Sequence, residues 1–438
     1  MKLLPRCLVV AALAVLPFFS ASLRAEMLEA KPSDPFFAKF APVKAPAPAG
    51  LLLQPGDRLA IIGDSITEQR MYSRLIQTYL TVCVPELKIT TRQFGWSGET
   101  AEGFLHRMTN DCLRFQPTIA TLCYGMNDHK YRAYDEQNGQ WYRDNYSAVA
   151  RSLKASGARV VLGSAGCVGK VPSWVGDQKA AVEDLNLNLC QFRNIDIEIA
   201  AQEQVNFADV FWPMLTAGFA AHQKFGPDYA VSGKDGVHPD WAGHLVMAYA
   251  YLKAMGLDGD LGTFTVDLGA GKATATAGHT VDSFANNALT ITSTRYPFCA
   301  TGPLDKDNSL RSGMTLVPFN ADLNRLKLVV TGGSAENYAV TWGDATRDYS
   351  AAQLAAGVNL AEDFAVNPFS AAFAKVDAAV AEQQKYETRQ IKDLFHGPEG
   401  KADANATADL TEKARQPLAN AVAAALVPVT HTIRIQAK

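Results

Sequence analysis

Residues 61–67 read Ile61-Ile62-Gly63-Asp64-Ser65-Ile66-Thr67. The apolar run from Leu59 to Ile62 predicts a short buried strand, and a helical pattern begins near Gln69. Ser65 therefore stands at the carboxyl end of a strand, where open α/β sheets bind their ligands. A serine in that place has an exposed hydroxyl and a free backbone N–H, as a nucleophile requires. Because a serine at a strand–turn–helix bend is common, this segment needs support from the rest of the chain.

The segment 56–256 alternates between apolar runs and helical patterns. Each apolar run predicts a buried strand, and the segments between the runs place apolar side chains on one helix face. The predicted buried strands lie at 59–62, 119–123, 159–163 and 205–210, and a more polar strand is predicted near 88–92. Repeated β-α units of this kind predict an α/β fold, a doubly wound parallel sheet with helices on both sides.

The C-terminal part of the 438-residue chain has a different composition and residue pattern, which indicates further domains. Short Thr- and Val-rich runs, broken by Gly, Asn and Asp, predict a small β-rich module over 257–350. The segment 351–438 predicts helices followed by an alternating strand at 430–435. Because the connection near 257 is short, we expect these C-terminal elements to pack back onto the α/β region.

The N-terminal segment 1–25 is typical of a signal peptide. Lys2 and Arg6 precede an apolar run from Leu8 to Phe19, and cleavage is expected near Ala25. This run is shorter than the roughly 20 apolar residues of a membrane anchor. We therefore expect export to the periplasm or the extracellular space, without stable membrane insertion. The proline-rich segment 26–55 is predicted to be a linker or a segment draped over the surface.

Composition and charge exclude several classes of protein. The apolar fraction is 48%, which supports a sizeable core, and the net charge of −3 gives no sign of a nucleic acid or an anionic membrane as partner. The cysteines are too sparse for a disulfide scaffold. The histidines lack metal-ligand spacing, and neither a Gly-x-Gly-x-x-Gly turn nor a phosphate-binding loop is present. We therefore predict no cofactor and no metal.

The second informative segment is Asp235-Gly236-Val237-His238-Pro239. A carboxylate three residues before a histidine, across a glycine-containing turn, can accept the Nδ1–H of the ring. The Nε2 of His238 is then free to take a proton from Ser65. The alternative is that Asp235 only caps the helix predicted over 241–252. This alternative loses weight beside Ser65 and the strand that precedes it.

Two further segments follow the second and third strands. Gly95 can turn the backbone sharply and bring its N–H toward a substrate. Asn127, within Tyr124-Gly125-Met126-Asn127-Asp128, places a side-chain amide at the same sheet edge, although ordinary turn chemistry also explains this residue. Together with the Ser65 N–H, these groups would supply three hydrogen-bond donors for an oxyanion.

These segments resemble the four sequence blocks of the SGNH (GDSL) hydrolase family of esterases and acylhydrolases. The resemblance covers about residues 56–256 and implies a flavodoxin-like, five-stranded parallel sheet. It implies Ser65 as nucleophile, His238 as general base and Asp235 as the group that orients the histidine. The implied oxyanion donors are the Ser65 N–H, the Gly95 N–H and the Asn127 side chain.

Three further observations concern residues near the predicted site. Asp64 and His129 are candidates for lining the pocket. The chain has Gln93-Phe94 where many family members have an asparagine before the glycine, which affects the hydrogen bonding expected around Gly95. The nucleophile motif Gly-x-Ser-x-Gly of the α/β-hydrolases is not met, because position 67 is threonine.

The resemblance implies a carboxylic ester hydrolase with a serine nucleophile. We expect an exported esterase that acts on O-acyl, in particular O-acetyl, esters of small molecules or polysaccharides, with carbohydrate esters favoured by analogy with secreted members. A lipase or arylesterase of broad specificity is one alternative. A non-catalytic glycan-binding protein on the same fold is the other.

Overall fold

The computed structural model describes residues 27–176 and 180–438, so the predicted signal peptide at 1–25 lies outside the described residues. A five-stranded, all-parallel sheet forms the centre of the α/β region. Its strands are β1 (Arg58–Gly63), β2 (Thr90–Gln93), β3 (Ile119–Cys123), β4 (Arg159–Gly163) and β5 (Asn206–Ala208). They lie in the order β2-β1-β3-β4-β5. This is the flavodoxin-like, doubly wound order, and it confirms the predicted fold class.

Helices cover both faces of this sheet. They are α1 (Ser65–Glu68), α2 (Tyr72–Cys83), α3 (Ala101–Asp111), α4 (Glu136–Ala155), α5 (Val182–Glu203), α6 (Phe211–Phe225) and α7 (Trp241–Ala254). Successive residues of a strand point to opposite faces, so Ile61 packs with α2, α6 and α7 while Ile62 packs with α3 and α4. Both faces of every central strand are thus buried, which explains the continuous apolar runs in the sequence.

The residues after α7 form two further sheets. Their strands are β6 (Asp260–Asp267), β7 (Lys272–Ala275), β8 (His279–Ala285), β9 (Ala288–Ser293), β10 (Arg325–Thr331), β11 (Asn337–Trp342), β12 (Ala345–Ser350), β13 (Val358–Asn359) and β14 (Val429–Ala437). One sheet has the order β13-β10-β6-β7, and the other has the order β12-β11-β14-β9-β8. Because β14 pairs with both β9 and β11, the end of the chain belongs to the same β unit as residues 257–350.

Short and long helices complete the C-terminal part. The short ones are α8 (Leu310–Met314), α9 (Phe319–Leu323), α10 (Ala351–Ala356) and α11 (Leu360–Asp363). They are followed by α12 (Ser370–Arg389), a π-helical turn (Gln390–Phe395), α13 (Pro398–Ala402) and α14 (Ala404–Ala425). No helix among the described residues combines the length and the apolar character needed to cross a bilayer.

The helices α12 and α14 pack onto the α/β region, as the short connection at 257 led us to expect. On α2, the Ser73 hydroxyl donates to the Gln384 side chain of α12 at 2.7 Å. On the edge strand β2, the Arg92 guanidinium donates to the Glu412 carboxylate of α14 at 2.7 Å. The C-terminal helices therefore cover the edge of the parallel sheet, which would otherwise be open to pairing with another chain.

A buried ion pair joins these two helices beside β2. Arg415 donates to Glu387 Oε1 from Nε, at 2.7 Å, and also to the carbonyl of Thr91, at 2.8 Å. Glu387 Oε2 accepts the backbone N–H of Gln93 at 3.1 Å. Both charged side chains are buried and hydrogen-bonded to each other and to β2, so the pair fixes how the C-terminal helices meet the sheet.

We expect Arg415→Met to destabilise the protein by about 3–5 kcal/mol, because it leaves the Glu387 carboxylate buried without its partner. Urea unfolding followed by circular dichroism measures this change. Lys438→Met is the matched control, since it breaks an ion pair with Asp348 in which both side chains are largely exposed. The control should cost no more than about 1 kcal/mol. Equal, small losses in both variants would contradict a structural role for the buried pair.

Candidate active site

Ser65 lies where β1 meets α1. The strand ends at Gly63, and Asp64 caps the helix by accepting the Ile66 N–H at 2.9 Å. Ser65 is the first residue of α1, and its side chain is half-buried. The first N–H groups of a helix have no partner within the helix. The Ser65 N–H therefore stands as a donor beside its own hydroxyl.

The structure brings Ser65, His238 and Asp235 together in one line. The distance between His238 Nε2 and Ser65 Oγ is 2.7 Å, and that between His238 Nδ1 and Asp235 Oδ2 is also 2.7 Å. The carboxylate accepts the Nδ1–H, so Nε2 is left to accept from the serine hydroxyl. This arrangement is the one that activates a serine in acyl-transfer enzymes.

Backbone groups hold the Asp235 carboxylate in place. Its Oδ1 accepts the N–H groups of Val237 and His238, each at 2.9 Å. Burial disfavours the charged form, but these two N–H groups and the His238 ring together lower the pKa of the Asp235 carboxyl below its usual range. The carboxylate is therefore ionised at neutral pH and can orient the ring.

Asn127 lies in the loop after β3, which is the neighbour of β1 in the sheet. Its Nδ2 donates to the carbonyl of Glu99 at 2.9 Å, and its Oδ1 accepts from the Tyr131 hydroxyl at 3.5 Å. A primary amide carries two N–H donors, so one remains for a ligand. The contacts with Glu99 and Tyr131 orient the amide in advance, as an oxyanion donor requires.

The backbone N–H of Gly95 does not have the free position that we predicted for an oxyanion donor. Its N–H donates to Gln93 Oε1 at 2.9 Å, so this donor is engaged within the protein rather than free for an oxyanion. The glycine is needed for close packing: a Cβ at this position would lie 2.2 Å from the backbone N of Glu68. Its φ is not in the left-handed region, so no sharp turn explains it. The Gln93-Phe94 departure in the sequence was the signal for this difference.

Asp64 and His129 do not line an open pocket, which corrects the prediction for both residues. Each side chain is buried below the site. Burial, with Asp128 and Glu99 nearby, raises the pKa of Asp64 to about 7. The His129 Nδ1–H donates to the carbonyl of Met126 at 2.5 Å, and burial lowers the pKa of the ring to about 4. Both residues support the loops from beneath.

A buried histidine on α7 connects the two halves of the site. His244 Nδ1 accepts the Tyr72 N–H, and its Nε2 donates to Gln69 Oε1, each at 3.2 Å. The amide of Gln69 in turn donates to the carbonyl of Pro239, next to His238, at 3.3 Å. His244 thus ties the segment after Ser65 to the segment that carries His238. Burial lowers the pKa of His244 to about 3, so the ring is neutral.

The C-terminal part of the chain also reaches the loops around Ser65. Lys392 donates to both oxygens of the Glu68 carboxylate, at 2.8 and 2.9 Å. Glu68 Oε2 accepts the N–H of Ser97 at 2.5 Å. The hydroxyl of Thr388 accepts from the Gln93 side chain. Residues beyond 380 therefore fix the loop after β2 and the end of α1.

Two aromatic residues beside the site were missed by the sequence analysis. The ring centroid of Trp174 lies 5.6 Å from that of His238, and the Tyr131 ring lies edge-on to Trp174 at 6.3 Å. Their positions in the loops after β4 and β3, at the carboxyl edge of the sheet, were the available signal. Trp212, by contrast, is buried against Phe37 and Phe40.

The segment 61–246 matches the model of the GDSL-like lipase/acylhydrolase family. Residues 61–246 are therefore similar to the SGNH (GDSL) hydrolase family, as the sequence blocks predicted, and this match supports a carboxylic ester hydrolase. An acetylxylan esterase from Geobacillus stearothermophilus is 26% identical over 221 residues, which cover 46% of this chain and 95% of that protein.

Two solved structures match different lengths of the chain. A structure described as a gut microbial diltiazem-metabolizing enzyme is 21% identical, with a TM-score of 0.70, and the match covers 90% of this chain and 100% of that one. The combination of the α/β region with the C-terminal sheets and helices thus recurs in another protein. A putative GDSL-like lipase from Parabacteroides merdae is 19% identical, with a TM-score of 0.40, covering 47% of this chain and 99% of that one.

The neutral, buried state of His244 makes stability depend on pH. Its folded pKa of about 3 lies below the ordinary value of 6.5, so the unfolded chain binds more protons between these values. Stability should therefore fall as the pH drops below about 6.5, and at pH 5 His244 accounts for about 2 kcal/mol of the loss. We expect His244→Gln, which can keep both hydrogen bonds, to have a shallower decline of Tm between pH 7 and pH 5.

His106→Gln on the exposed face of α3 is the control for this measurement, since its ring is open to solvent. Its pH dependence of Tm should follow that of the wild-type protein. An identical slope in His244→Gln would show that His244 does not carry the acid sensitivity.

Proposed function

We propose that this protein is an exported serine esterase that removes O-acetyl groups from carbohydrates through an acyl-enzyme on Ser65. The observation that carries the proposal is the pair of 2.7 Å contacts that places His238 between the Ser65 hydroxyl and the Asp235 carboxylate. A half-buried serine with this pair of partners is equipped to act as a nucleophile. A purely glycan-binding protein would have no need of the arrangement.

The reaction follows from this geometry. Ser65 Oγ attacks the ester carbonyl while Nε2 of His238 takes the hydroxyl proton. The oxyanion that forms is stabilised by the Ser65 N–H and by the remaining N–H of Asn127. The protonated ring then gives its proton to the leaving alcohol, which leaves an acetyl group on Ser65. A water molecule activated by His238 hydrolyses this acyl-enzyme and restores the serine.

Two observations support the finer parts of the proposal. The similarity to an acetylxylan esterase extends over 95% of that protein, which favours a short acyl group and a carbohydrate alcohol. The charged start, apolar run and small-residue end of the segment 1–25 favour export.

We expect Ser65→Ala and His238→Ala each to lower kcat for p-nitrophenyl acetate by a factor on the order of 10⁴ or more. The reason is that the serine hydroxyl attacks the ester only when the histidine takes its proton. The double variant should lose little more than either single variant. Ser334→Ala, at an exposed serine of the β-rich part, is the control and should keep wild-type kcat. Near wild-type turnover in Ser65→Ala would overturn the proposal.

The same assay with butyrate and octanoate esters tests the acyl preference. An acetylesterase should lose kcat/KM as the acyl chain lengthens. A rise with chain length would instead identify a lipase.

Asn127→Ala removes one oxyanion donor, and we expect a fall in kcat of about 10²–10³ with KM little changed. The reason is that the interaction is formed mainly in the transition state. Steady-state kinetics with p-nitrophenyl acetate measures both constants. A change in KM alone would assign Asn127 to substrate binding and leave the oxyanion to other donors.

A further inference from the structure

Tyr131 and Trp174 form an aromatic shelf along one side of the site. Trp174 lies 5.6 Å from His238, between ring centroids, and Tyr131 contacts Trp174 edge-on. At the other end of the shelf, the Tyr131 hydroxyl donates to Asn127 Oδ1 at 3.5 Å. The aromatic shelf therefore runs from the general base to the oxyanion donor of the proposed reaction.

The Tyr131 end of the shelf is held in an unfavourable backbone conformation. Lys130 and Tyr131 have φ values of 55° and 50°, in the left-handed region that side chains other than glycine rarely adopt. The buried Asn188 of α5 clamps this turn by donating to the carbonyls of His129 and Arg132, at 3.1 and 2.8 Å. Strain of this kind persists where the surrounding structure enforces it, and it concentrates at functional sites.

The Trp174 end is also fixed by its neighbours. Trp174 lies in a short 3₁₀ turn, Ser173–Val175, that begins after Pro172. Val175 is buried and anchors the turn, while the Trp174 side chain is 51% exposed. Within the part of the chain that the structure describes, Trp174 is the one aromatic among the large, exposed apolar side chains. Single exposed apolar residues need no explanation, but one placed against the general base does.

The position of Trp174 indicates which part of an ester it contacts. In the proposed reaction, the His238 ring gives its proton to the leaving alcohol, so the alcohol lies next to this ring. Trp174 is therefore on the alcohol side of the scissile bond rather than on the acyl side. Its flat, open face with a polar indole N–H suits a ring with apolar C–H faces and a polar rim, whereas an acyl chain favours an enclosed apolar cavity.

We propose that the aromatic shelf binds the sugar ring of the leaving alcohol and makes Trp174 the main determinant of carbohydrate specificity. This inference rests on the proposed function, since it assigns the alcohol side of the same reaction. Tyr131 serves a second purpose, because its hydroxyl links the shelf to Asn127. Binding of the sugar ring and orientation of the oxyanion donor thus share one side chain.

The test compares two acetate esters that differ only in the alcohol: an acetylated xylo-oligosaccharide and ethyl acetate, with the released acid titrated at constant pH. In Trp174→Ala, the ratio of kcat/KM for the oligosaccharide to that for ethyl acetate should fall roughly tenfold, mainly through a higher KM. Trp174→Phe, which keeps an aromatic face, should recover most of this ratio. Leu410→Ala, at an exposed apolar residue of α14, should keep the wild-type ratio.

Three results would overturn the inference. An unchanged ratio in Trp174→Ala would mean that the shelf does not contact the alcohol. If Trp174→Ala changed the ratio of kcat/KM for ethyl acetate to that for ethyl butyrate, Trp174 would lie on the acyl side. If the wild-type protein hydrolysed ethyl acetate but not the oligosaccharide, the shelf would not bind a sugar, although the protein would still be an esterase. If the wild-type protein hydrolysed none of these esters, the proposed function itself would be rejected.

Discussion

The hydrogen bond between the Ser65 hydroxyl and the His238 ring joins residues that are 173 positions apart. It forms only because the parallel sheet sets the end of β1 beside the loop that leads into α7. The buried His244 maintains this approach, since it bonds to Tyr72 on one side and to Gln69 on the other. The geometry of the candidate site therefore depends on the packing of α2 against α7, well below the surface where a substrate would bind.

Much of this architecture could be predicted because the information is local. The inner strands β1, β3 and β4 are short, mostly apolar runs, because both of their faces are buried. Ser65, Asn127 and Asp235 with His238 each stand just after a strand or just before a helix. Since the carboxyl ends of parallel strands meet at one edge, sequence order alone brings these residues to the same place.

What could not be predicted depends on side-chain direction and on distant pairing. The sequence shows that Gln93 precedes Gly95, but not that its amide turns back to occupy the Gly95 N–H. It shows a tryptophan after β4, but not that a buried Val175 turns Trp174 outward. The contacts of Thr388 and Lys392 with loops near Ser65 span about 300 positions, and no periodic pattern reports such contacts.

The central place of β14 in its sheet has a consequence for how the chain is assembled. During synthesis, β9 and β11 emerge long before the strand that pairs with both of them. Until β14 arrives, each presents an unpaired edge that another chain could occupy. Pairing over such sequence distances is slow. The interval before β14 docks is therefore the period in which this protein is most exposed to aggregation, and protection by a chaperone would matter most then.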